Sequence, residues 1–298
     1  MNDFRKYLYT CLFATAVLLG GVSPVWAQQV SLGTASAFSV LGTAVTTSAS
    51  TINGNVGSAG AVTLTSSAVN GNVVYTGVLA GVPPSTISGT STQPLPAQVI
   101  LDLNSAWTSV QSIHCTDTTS LAGATITGPK TLSPGVYCTT TALTGAGVLT
   151  LDARGNANAV WIFRIGGALT GTGFSVVMAN GGQPCNVFWV PGADVTMTTS
   201  TFVGNVLAAA NGPGFPAGGS ITTTGGTLSG RALANVAVTM TNANITGCSA
   251  LPVPPMSCKD KDRDGGDKCK DGRDGDKGQG KCKEGKDDDK RSKEDDVG

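Results

Sequence analysis

The sequence predicts an all-β solenoid with one α-helix, and two features of the chain favour that fold class. Short runs of alternating apolar and polar residues fill positions 28–250, where helical periodicity is almost absent. Two short units also recur along the chain, as expected of a solenoid, in which each coil buries its apolar side against its neighbours. We therefore expect many short strands that stack coil upon coil.

Residues 1–27 have the pattern of a secretory signal peptide. Arg5 and Lys6 precede an apolar run from Leu8 to Val22, and the segment Val25-Trp26-Ala27 supplies a cleavage site after Ala27. No later run reaches the about 18 apolar residues that a membrane span needs. We expect a mature chain that begins at Gln28, is secreted and stays extracellular.

Charge divides the remaining chain into two parts. Residues 28–257 carry eight charged side chains and thirty-six threonines, whereas residues 259–296 carry twenty-seven charged side chains. Because a soluble protein normally has about a quarter of its residues charged, the first part must meet water through hydroxyls, amides and backbone. We predict a domain over residues 28–250, a Pro-rich linker over 251–257 and a charged tail over 258–298.

The tail has too few apolar residues to form a core, so we predict that it is disordered. Its nearly balanced charge argues against nucleic acid as a partner and leaves contact with a cell surface or exopolysaccharide as a hypothesis. The segment from Asp260 to Asp271 resembles a calcium loop, but Lys268 and Lys270 inside it favour a solvated charge run. We expect neither a metal nor a cofactor.

One segment has helical periodicity. Within Ala97–Val110 the apolar residues Ile100, Leu103, Trp107 and Val110 recur at spacings of three and four. This pattern predicts an amphipathic helix that packs against the strands.

The two repeated units suggest where the coils turn and what they expose. The first has a Thr or Ala, an apolar residue, any residue, Gly, and then Asn or Arg; it recurs at residues 51–56, 68–73, 201–206 and 227–232. The second is Val-Thr-x-Thr at 62–65, 195–198 and 238–241, with 124–127 as a variant. Because strand residues alternate between faces, both threonines of each such unit can point outward. Stacked coils would align these threonines in two columns.

Four cysteines of the domain allow three disulfide pairings. We favour Cys115 with Cys138 and Cys185 with Cys248, and buried free thiols remain the alternative.

The domain lacks the residues that catalysis on such a scaffold would need. A polysaccharide lyase or hydrolase requires clustered carboxylates or a poised base, whereas Asp102, Asp117, Asp152 and Asp194 are dispersed in the sequence. We expect Asp102 and Asp117 to be solvated and Asp152 to stabilise a turn. His114 beside Cys115 is no evidence of a nucleophile and base, so we predict no catalytic residue.

Ordered blocks of sequence from Ser31 to Gly247 resemble the bacterial and fungal ice-binding proteins that carry the DUF3494 domain. They include LGTA at 32–35, INGNVG at 52–57, LSPGVY at 132–137, NAVWIF at 158–163, CNVFW at 185–189 and GRALA at 230–234. The resemblance implies a discontinuous, right-handed parallel β-helix of triangular cross-section, with one long α-helix alongside. It also implies adsorption to an ice crystal surface through one flat face.

Some family members carry on that face a motif of Thr, Ala or Gly, any residue, then Thr or Asn. Three segments are similar, and with the Val-Thr-x-Thr units they give the candidate ice-binding residues Thr43, Thr46, Thr63, Thr65, Thr141, Thr144, Thr196, Thr198, Thr224, Thr227, Thr239 and Thr241. An adhesin or matrix protein that binds carbohydrate or partners through the solenoid is the alternative, because Thr and Asn arrays suit sugars too.

Overall fold

Parallel pairing between every third strand organises the protein. The computed structural model describes residues 30–209 and 218–248. The predicted signal peptide, Pro-rich linker and charged tail lie outside these residues. Within them the chain is mostly β, with one α-helix and two short 3-10 helices at Gly33–Ala37 and Pro184–Asn186.

The strands are short, except for two that each run through fourteen residues. In chain order they are β1 (Val40–Gly42), β2 (Ala44–Ser48), β3 (Thr51–Asn53), β4 (Val56–Ser58), β5 (Val62–Thr65), β6 (Ala68–Asn70), β7 (Val73–Tyr75), β8 (Leu79–Ala80), β9 (Thr86–Ile87), β10 (Ser91–Thr92), β11 (Thr125–Ile126), β12 (Lys130–Leu132), β13 (Gly135–Thr139), β14 (Leu143–Gly145), β15 (Val148–Asp152), β16 (Trp161–Ile165), β17 (Leu169–Thr172), β18 (Ser175–Ala179), β19 (Val187–Pro191), β20 (Val195–Ala208), β21 (Ile221–Ala234), β22 (Ala237–Thr241) and β23 (Asn244–Thr246). The helix α1 (Ala97–Gln111) separates β10 from β11.

Each circuit of the chain contributes a strand to each of three parallel stacks. The first stack runs β11–β14–β17–β20–β21–β22–β2–β5–β8. The second runs β12–β15–β18–β20–β21–β23–β3–β6–β9. The third runs β13–β16–β19–β20–β21–β1–β4–β7–β10. The long strands β20 and β21 take part in all three stacks.

The order of circuits in the stacks differs from their order in the chain. The first circuit, β1 to β3, pairs with the last, β21 to β23, so that Val45 lies beside Val238 and Ile52 beside Ile245. The predicted mostly-β parallel fold with one helix is confirmed. The stacks are continuous in space, but the circuits that form them are not consecutive in sequence. Helix α1 separates the circuits that end at β10 from those that begin at β11.

The inward side chains of the stacks form the main core. Aromatic rings of successive circuits lie against one another there: the ring centroids are 3.9 Å apart for Phe163 and Trp189, and 4.7 Å apart for Trp189 and Phe202. The Trp189 indole N–H donates to the Val203 carbonyl at 2.9 Å, so this buried polar group is paired. Large interlocking rings and paired polar groups make the framework stiff.

Helix α1 covers the third stack, whose outward residues are therefore apolar. Val99, Leu103, Ala106, Trp107 and Val110 of the helix are buried there. They belong to a second core that includes seven outward side chains of the stack: Leu41, Val136, Ile162, Phe188, Val190, Leu207 and Leu233. The predicted helix is confirmed and continues one residue beyond Val110; Ile100 is only partly buried because Val99 and Ala106 face the strands more directly.

The first repeated unit marks the corner between the second and third stacks. Its glycines lie one above another, and a Cβ on Gly230 would stand 1.9 Å from the Gly204 carbonyl oxygen. Likewise, a Cβ on Gly71 would stand 2.4 Å from the Gly54 carbonyl oxygen. The repeat therefore conserves a backbone approach that any side chain would block.

Candidate functional site

Two columns of hydroxyl-bearing residues line the outside of the first stack. The strand register places Thr196 beside Thr170 and Thr222, and this alignment continues through neighbouring strands. Column one contains Thr125, Thr144, Thr170, Thr196, Thr222, Thr239, Thr46 and Thr63. Column two, two residues further along each strand, contains Thr172, Thr198, Thr224, Thr241, Ser48 and Thr65. We call these fourteen residues the threonine face.

Strand alternation separates the threonine face from the core. Every residue of the face is exposed or half-buried. The intervening residues point inward: Val195 and Met197 on β20 are 1% and 4% exposed. Strands in a sheet lie about 4.8 Å apart, and residues two apart along a strand are separated by about 6.7 Å. Column one, with its eight threonines, thus spans about 34 Å.

Two threonines of the same stack point into the core instead. Thr47 is 0% exposed and Thr223 is 6% exposed. Neither hydroxyl has a hydrogen-bond partner among the described residues. A buried hydroxyl without a partner is destabilising. The hydroxyls of Thr47 and Thr223 are therefore unfavourable for stability, whereas the outward threonines next to them are exposed to solvent.

Buried serines hold the corner that follows column two. The Ser50 hydroxyl donates to the Ser48 carbonyl at 2.8 Å and accepts from the Ala243 N–H at 3.2 Å. The Ser200 hydroxyl donates to the Thr198 carbonyl at 3.1 Å and accepts from the Phe174 N–H at 3.2 Å. Each serine thus links the backbone of a column-two residue to the neighbouring circuit and fixes the edge of the face.

The same corner requires an unusual backbone conformation once per circuit. Ala49, Ser66 and Thr199 have φ of 47°, and Asn242 has φ of 50°. Each directly follows a residue of column two, where the chain turns from the first stack into the second. Left-handed conformations of non-glycine residues persist only where the surrounding structure holds them, and a buried serine with a hydrogen-bonded hydroxyl directly follows Ala49, Ser66 and Thr199.

One charged side chain lies at the margin of the threonine face. Asp194 is exposed and precedes Thr196 by two positions, just before β20 begins. Its Oδ1 accepts a hydrogen bond from the Ser220 N–H at 2.8 Å. The fourteen residues of the face themselves include no charged group.

The structure brings together nine of the twelve predicted site residues. They are Thr46, Thr63, Thr144, Thr196 and Thr239 in column one, and Thr65, Thr198, Thr224 and Thr241 in column two. Thr43 and Thr141 precede β2 and β14, at the margin of the face. Thr227 lies in the second stack, where it pairs with Thr201 and Asn244.

Five residues of the face were not among the predicted site residues: Thr125, Thr170, Thr172, Thr222 and Ser48. Thr125 does fall in the variant Ala-Thr-Ile-Thr unit, and Thr170-Gly171-Thr172 keeps the Thr-x-Thr spacing. The inward position holds Gly171, where space is limited: a Cβ there would stand 3.1 Å from the Ser200 Oγ and 3.4 Å from the Phe174 Cβ. The Val-Thr-x-Thr unit passes over Thr170 and Thr222 because Leu169 and Ile221 stand where it requires valine.

Carboxylates of the described residues serve the fold locally. Asp102 accepts from the Thr34 N–H and hydroxyl, each at 2.7 Å, and from the Gln98 amide at 2.7 Å. Asp152 accepts from the Arg154 N–H at 2.8 Å, as predicted for a turn. Within the described residues there is no group of three His, Cys, Asp or Glu side chains that could hold a metal ion.

Asp117 is fixed in a turn rather than simply solvated. The Ser120 hydroxyl donates to it at 2.5 Å, and the Ser120 and Thr119 N–H groups donate at 2.7 Å. These hydrogen bonds, the Ser120 hydroxyl first, lower the pKa of Asp117 to about 2. Asp102 and Asp117 are both partly exposed to solvent, as expected, and each also accepts hydrogen bonds from fixed neighbours.

Two disulfides connect the elements, in the favoured pairing. Cys115, after α1, is joined to Cys138 on β13, and Cys185 is joined to Cys248 near the end of the described chain. The Cα atoms of the pairs are 5.9 Å and 5.6 Å apart.

None of the helices in the described part of the chain has the length and apolar character to cross a membrane.

Comparison with known proteins places the chain in a family. The family model described as Ice-binding-like matches residues 38–246. The chain is 36% identical over 231 residues to a protein of Nostoc sp. (strain HG1) named ice-binding protein, and the match covers 74% of this chain and 76% of that protein. It is 30% identical to an ice-binding protein of Colwellia sp., with 80% of this chain and 92% of the other covered. The crystal structure of an ice-binding protein from the Antarctic ascomycete Antarctomyces psychrotrophicus superimposes with a TM-score of 0.60 at 30% identity, over 74% of this chain and 100% of that one. With a family match over residues 38–246 and a relative of this identity and coverage, the chain belongs to the ice-binding-like family.

Proposed function

We propose that the protein binds ice through the threonine face and inhibits ice growth or recrystallisation. The observation that carries this proposal is the pair of aligned columns, which presents fourteen uncharged, hydroxyl-bearing side chains at regular spacing. The names of the relatives from Nostoc sp. and Antarctomyces psychrotrophicus support ice as the ligand.

The physical basis is preorganisation. Threonine offers a hydroxyl and a methyl group, and its branched side chain has little rotational freedom on a strand. A stiff array of these groups can hold a layer of water in ice-like positions before contact, so little ordering remains to be done at docking. Ionised groups would hold water in other arrangements, which explains why the face lacks them. Adsorbed molecules then pin the ice front, which must curve between them and grows more slowly.

We further propose that the three stacks are the sides of a right-handed, discontinuous β-helix of triangular cross-section. Support comes from the pairing of every third strand and from three outward surfaces of different character. The first carries threonines, the second carries a mixture that includes Asn53, Asn70 and Val177, and the third is covered by α1. In this solenoid, Thr43 and Thr141 border the ice-binding side, and Thr227 belongs to the next one.

We also propose that the protein is secreted, that it has no catalytic activity and that residues 28–250 form the ice-binding domain. The predicted signal sequence supports the first point, and the dispersed carboxylates support the second. The charged tail remains a candidate for contact with a cell surface or exopolysaccharide.

A double replacement, Thr196→Tyr with Thr239→Tyr, tests the ice-binding side. Both residues lie in column one, on either side of Thr222, and two bulky rings would hold the centre of the face away from ice. We expect most of the thermal hysteresis and recrystallisation inhibition to be lost while the circular dichroism spectrum is retained.

The matched control is Thr201→Tyr, an exposed position of the same strand in the second stack. This variant should keep the activity of the parent protein. Equal activity of the double variant and the parent would exclude the threonine face. Failure of the parent protein to enter a growing ice hemisphere would instead favour the carbohydrate-binding or adhesive alternative.

A further inference from the structure

A cleft of about 800 Å³ lies between the end of α1 and the turns that precede β14 and β17. This volume falls within the about 300–1,000 Å³ of typical small-molecule sites. Thr118, Thr139, Thr140 and Thr141 contribute to its lining, together with apolar residues such as Ile165. Arg164 is the one charged residue in the lining, which consists entirely of described residues.

Arg164 is incompletely paired for a partly buried arginine. Its Nη1 donates to the Ile113 carbonyl at 2.8 Å, with the Cys115 sulfur at 3.6 Å. Its Nε is buried and has no hydrogen-bond partner in the described part of the chain. Burial lowers the pKa of the guanidinium, and no carboxylate of the described residues acts against that effect.

Arg231 provides an internal comparison. Its Nε donates to the Ser36 carbonyl at 3.1 Å, its Nη1 to Asn205 Oδ1 at 2.9 Å and its Nη2 to the Cys248 carbonyl at 3.2 Å. All three nitrogens of this structural arginine therefore have protein acceptors. The buried Nε of Arg164 is out of reach of a ligand, but its Nη2 has no acceptor among the described residues and is not fully buried. In a cleft without acidic residues, this nitrogen is available to an acceptor from outside the chain.

We propose that this cleft binds a small organic carboxylate that also carries hydroxyl groups, the chemistry of an acidic sugar. The planar guanidinium of Arg164 suits a carboxylate, and the threonine hydroxyls can both donate to and accept from a polyol. No residue of the threonine face lines the cleft, although the cleft adjoins one end of column one: Ala124 of the lining precedes Thr125, and its carbonyl accepts from the Thr144 N–H at 2.8 Å. The proposed ligand therefore does not need the side chains that we assign to ice binding.

The test is calorimetric titration of the mature chain with galacturonate at low ionic strength, with galactose as the neutral counterpart. We expect saturable binding of one galacturonate per chain and none of galactose. Arg164→Gln should weaken galacturonate binding by about tenfold or more, the effect of losing a charge-assisted hydrogen bond. Arg154→Gln, which removes an exposed arginine outside the cleft, should leave the binding unchanged.

A second variant keeps the test decisive if Arg164→Gln does not fold. Thr140 is exposed at the cleft, and Thr140→Trp should fill the space and abolish binding while Arg164 remains. The proposal is overturned if the parent protein does not bind galacturonate, if galactose binds equally, or if folded Arg164→Gln or Thr140→Trp binds as the parent does. Thermal hysteresis of the two variants should equal that of the parent, which separates this result from the ice-binding proposal.

Discussion

Replacing Thr47 by valine tests which side chains of the first stack point outward. Thr47 is fully buried and its hydroxyl has no partner in the described structure, whereas Thr46 beside it belongs to column one. An unpaired buried hydroxyl is unfavourable by about 1–3 kcal/mol, and valine has nearly the same shape. We expect Thr47→Val to raise the free energy of unfolding by about 1–2 kcal/mol. In a domain of this size that corresponds to an increase in Tm of about 2–8 °C.

Thr46→Val is the matched control, because it makes the same chemical change one residue earlier. A surface replacement should alter the free energy of unfolding by no more than about 0.5 kcal/mol. Calorimetric or circular dichroism melting of both variants, with thermal hysteresis measured in parallel, distinguishes the two sides of the strand. Thr47→Val should keep its ice activity. Since a shift of one residue in register exchanges the two faces of a strand, destabilisation by Thr47→Val, or stabilisation by Thr46→Val, would refute the assignment.

Three further predictions concern the margin, the corner and the turn. Asp194→Asn keeps an acceptor for the Ser220 N–H and removes the charge beside the threonine face, so thermal hysteresis should rise. The control Asp152→Asn, in the second stack, should leave thermal hysteresis unchanged. An equal rise in both variants would argue against a local effect of the charge. Ser200→Ala leaves the buried Phe174 N–H without its acceptor, so the free energy of unfolding should fall by about 1–3 kcal/mol. Denaturant titration measures this change, with Ser175→Ala as the control. Equal stability of the two variants would contradict the role of Ser200 in linking neighbouring circuits. Because its hydrogen bonds hold the pKa of Asp117 at about 2, below the ordinary 3.8 of an aspartate, its contribution to stability is present above about pH 4 and lost as the pH falls toward 2. Asp117→Asn should therefore flatten the pH dependence of Tm in that range, and an unchanged profile would show that other groups dominate.

Much of the architecture could be predicted because local patterns have local causes. Glycines of the first repeated unit mark the corner where backbones approach too closely for a side chain, and the Val-Thr-x-Thr units mark strands with one buried side. The helix was visible because its apolar residues recur at the helical period. These features depend on neighbours in sequence or on steric rules that hold at each circuit.

The extent of the threonine face could not be predicted in the same way. Thr170 and Thr172 flank Gly171, where a larger side chain would crowd Ser200 and Phe174, and Thr222 and Thr224 flank the buried Thr223. Both units begin with Leu169 or Ile221 in place of valine, so a pattern that requires valine does not find them. Thr227 was wrongly predicted because its motif with Thr224 spans a corner of the chain. Thr224 therefore lies in the first stack and Thr227 in the second.

The pairing of the first circuit with the last also determines when the threonine face can exist. Six threonines of column one come from residues 125–239, and the other two, Thr46 and Thr63, were synthesised earlier. The seam where β22 meets β2 joins segments almost two hundred residues apart, as in the pairing of Thr46 with Thr239. Such distant pairing is slow to form. A nascent chain therefore holds its first circuits without their partner until β22 is made, and the full array cannot be complete before β22 pairs with β2.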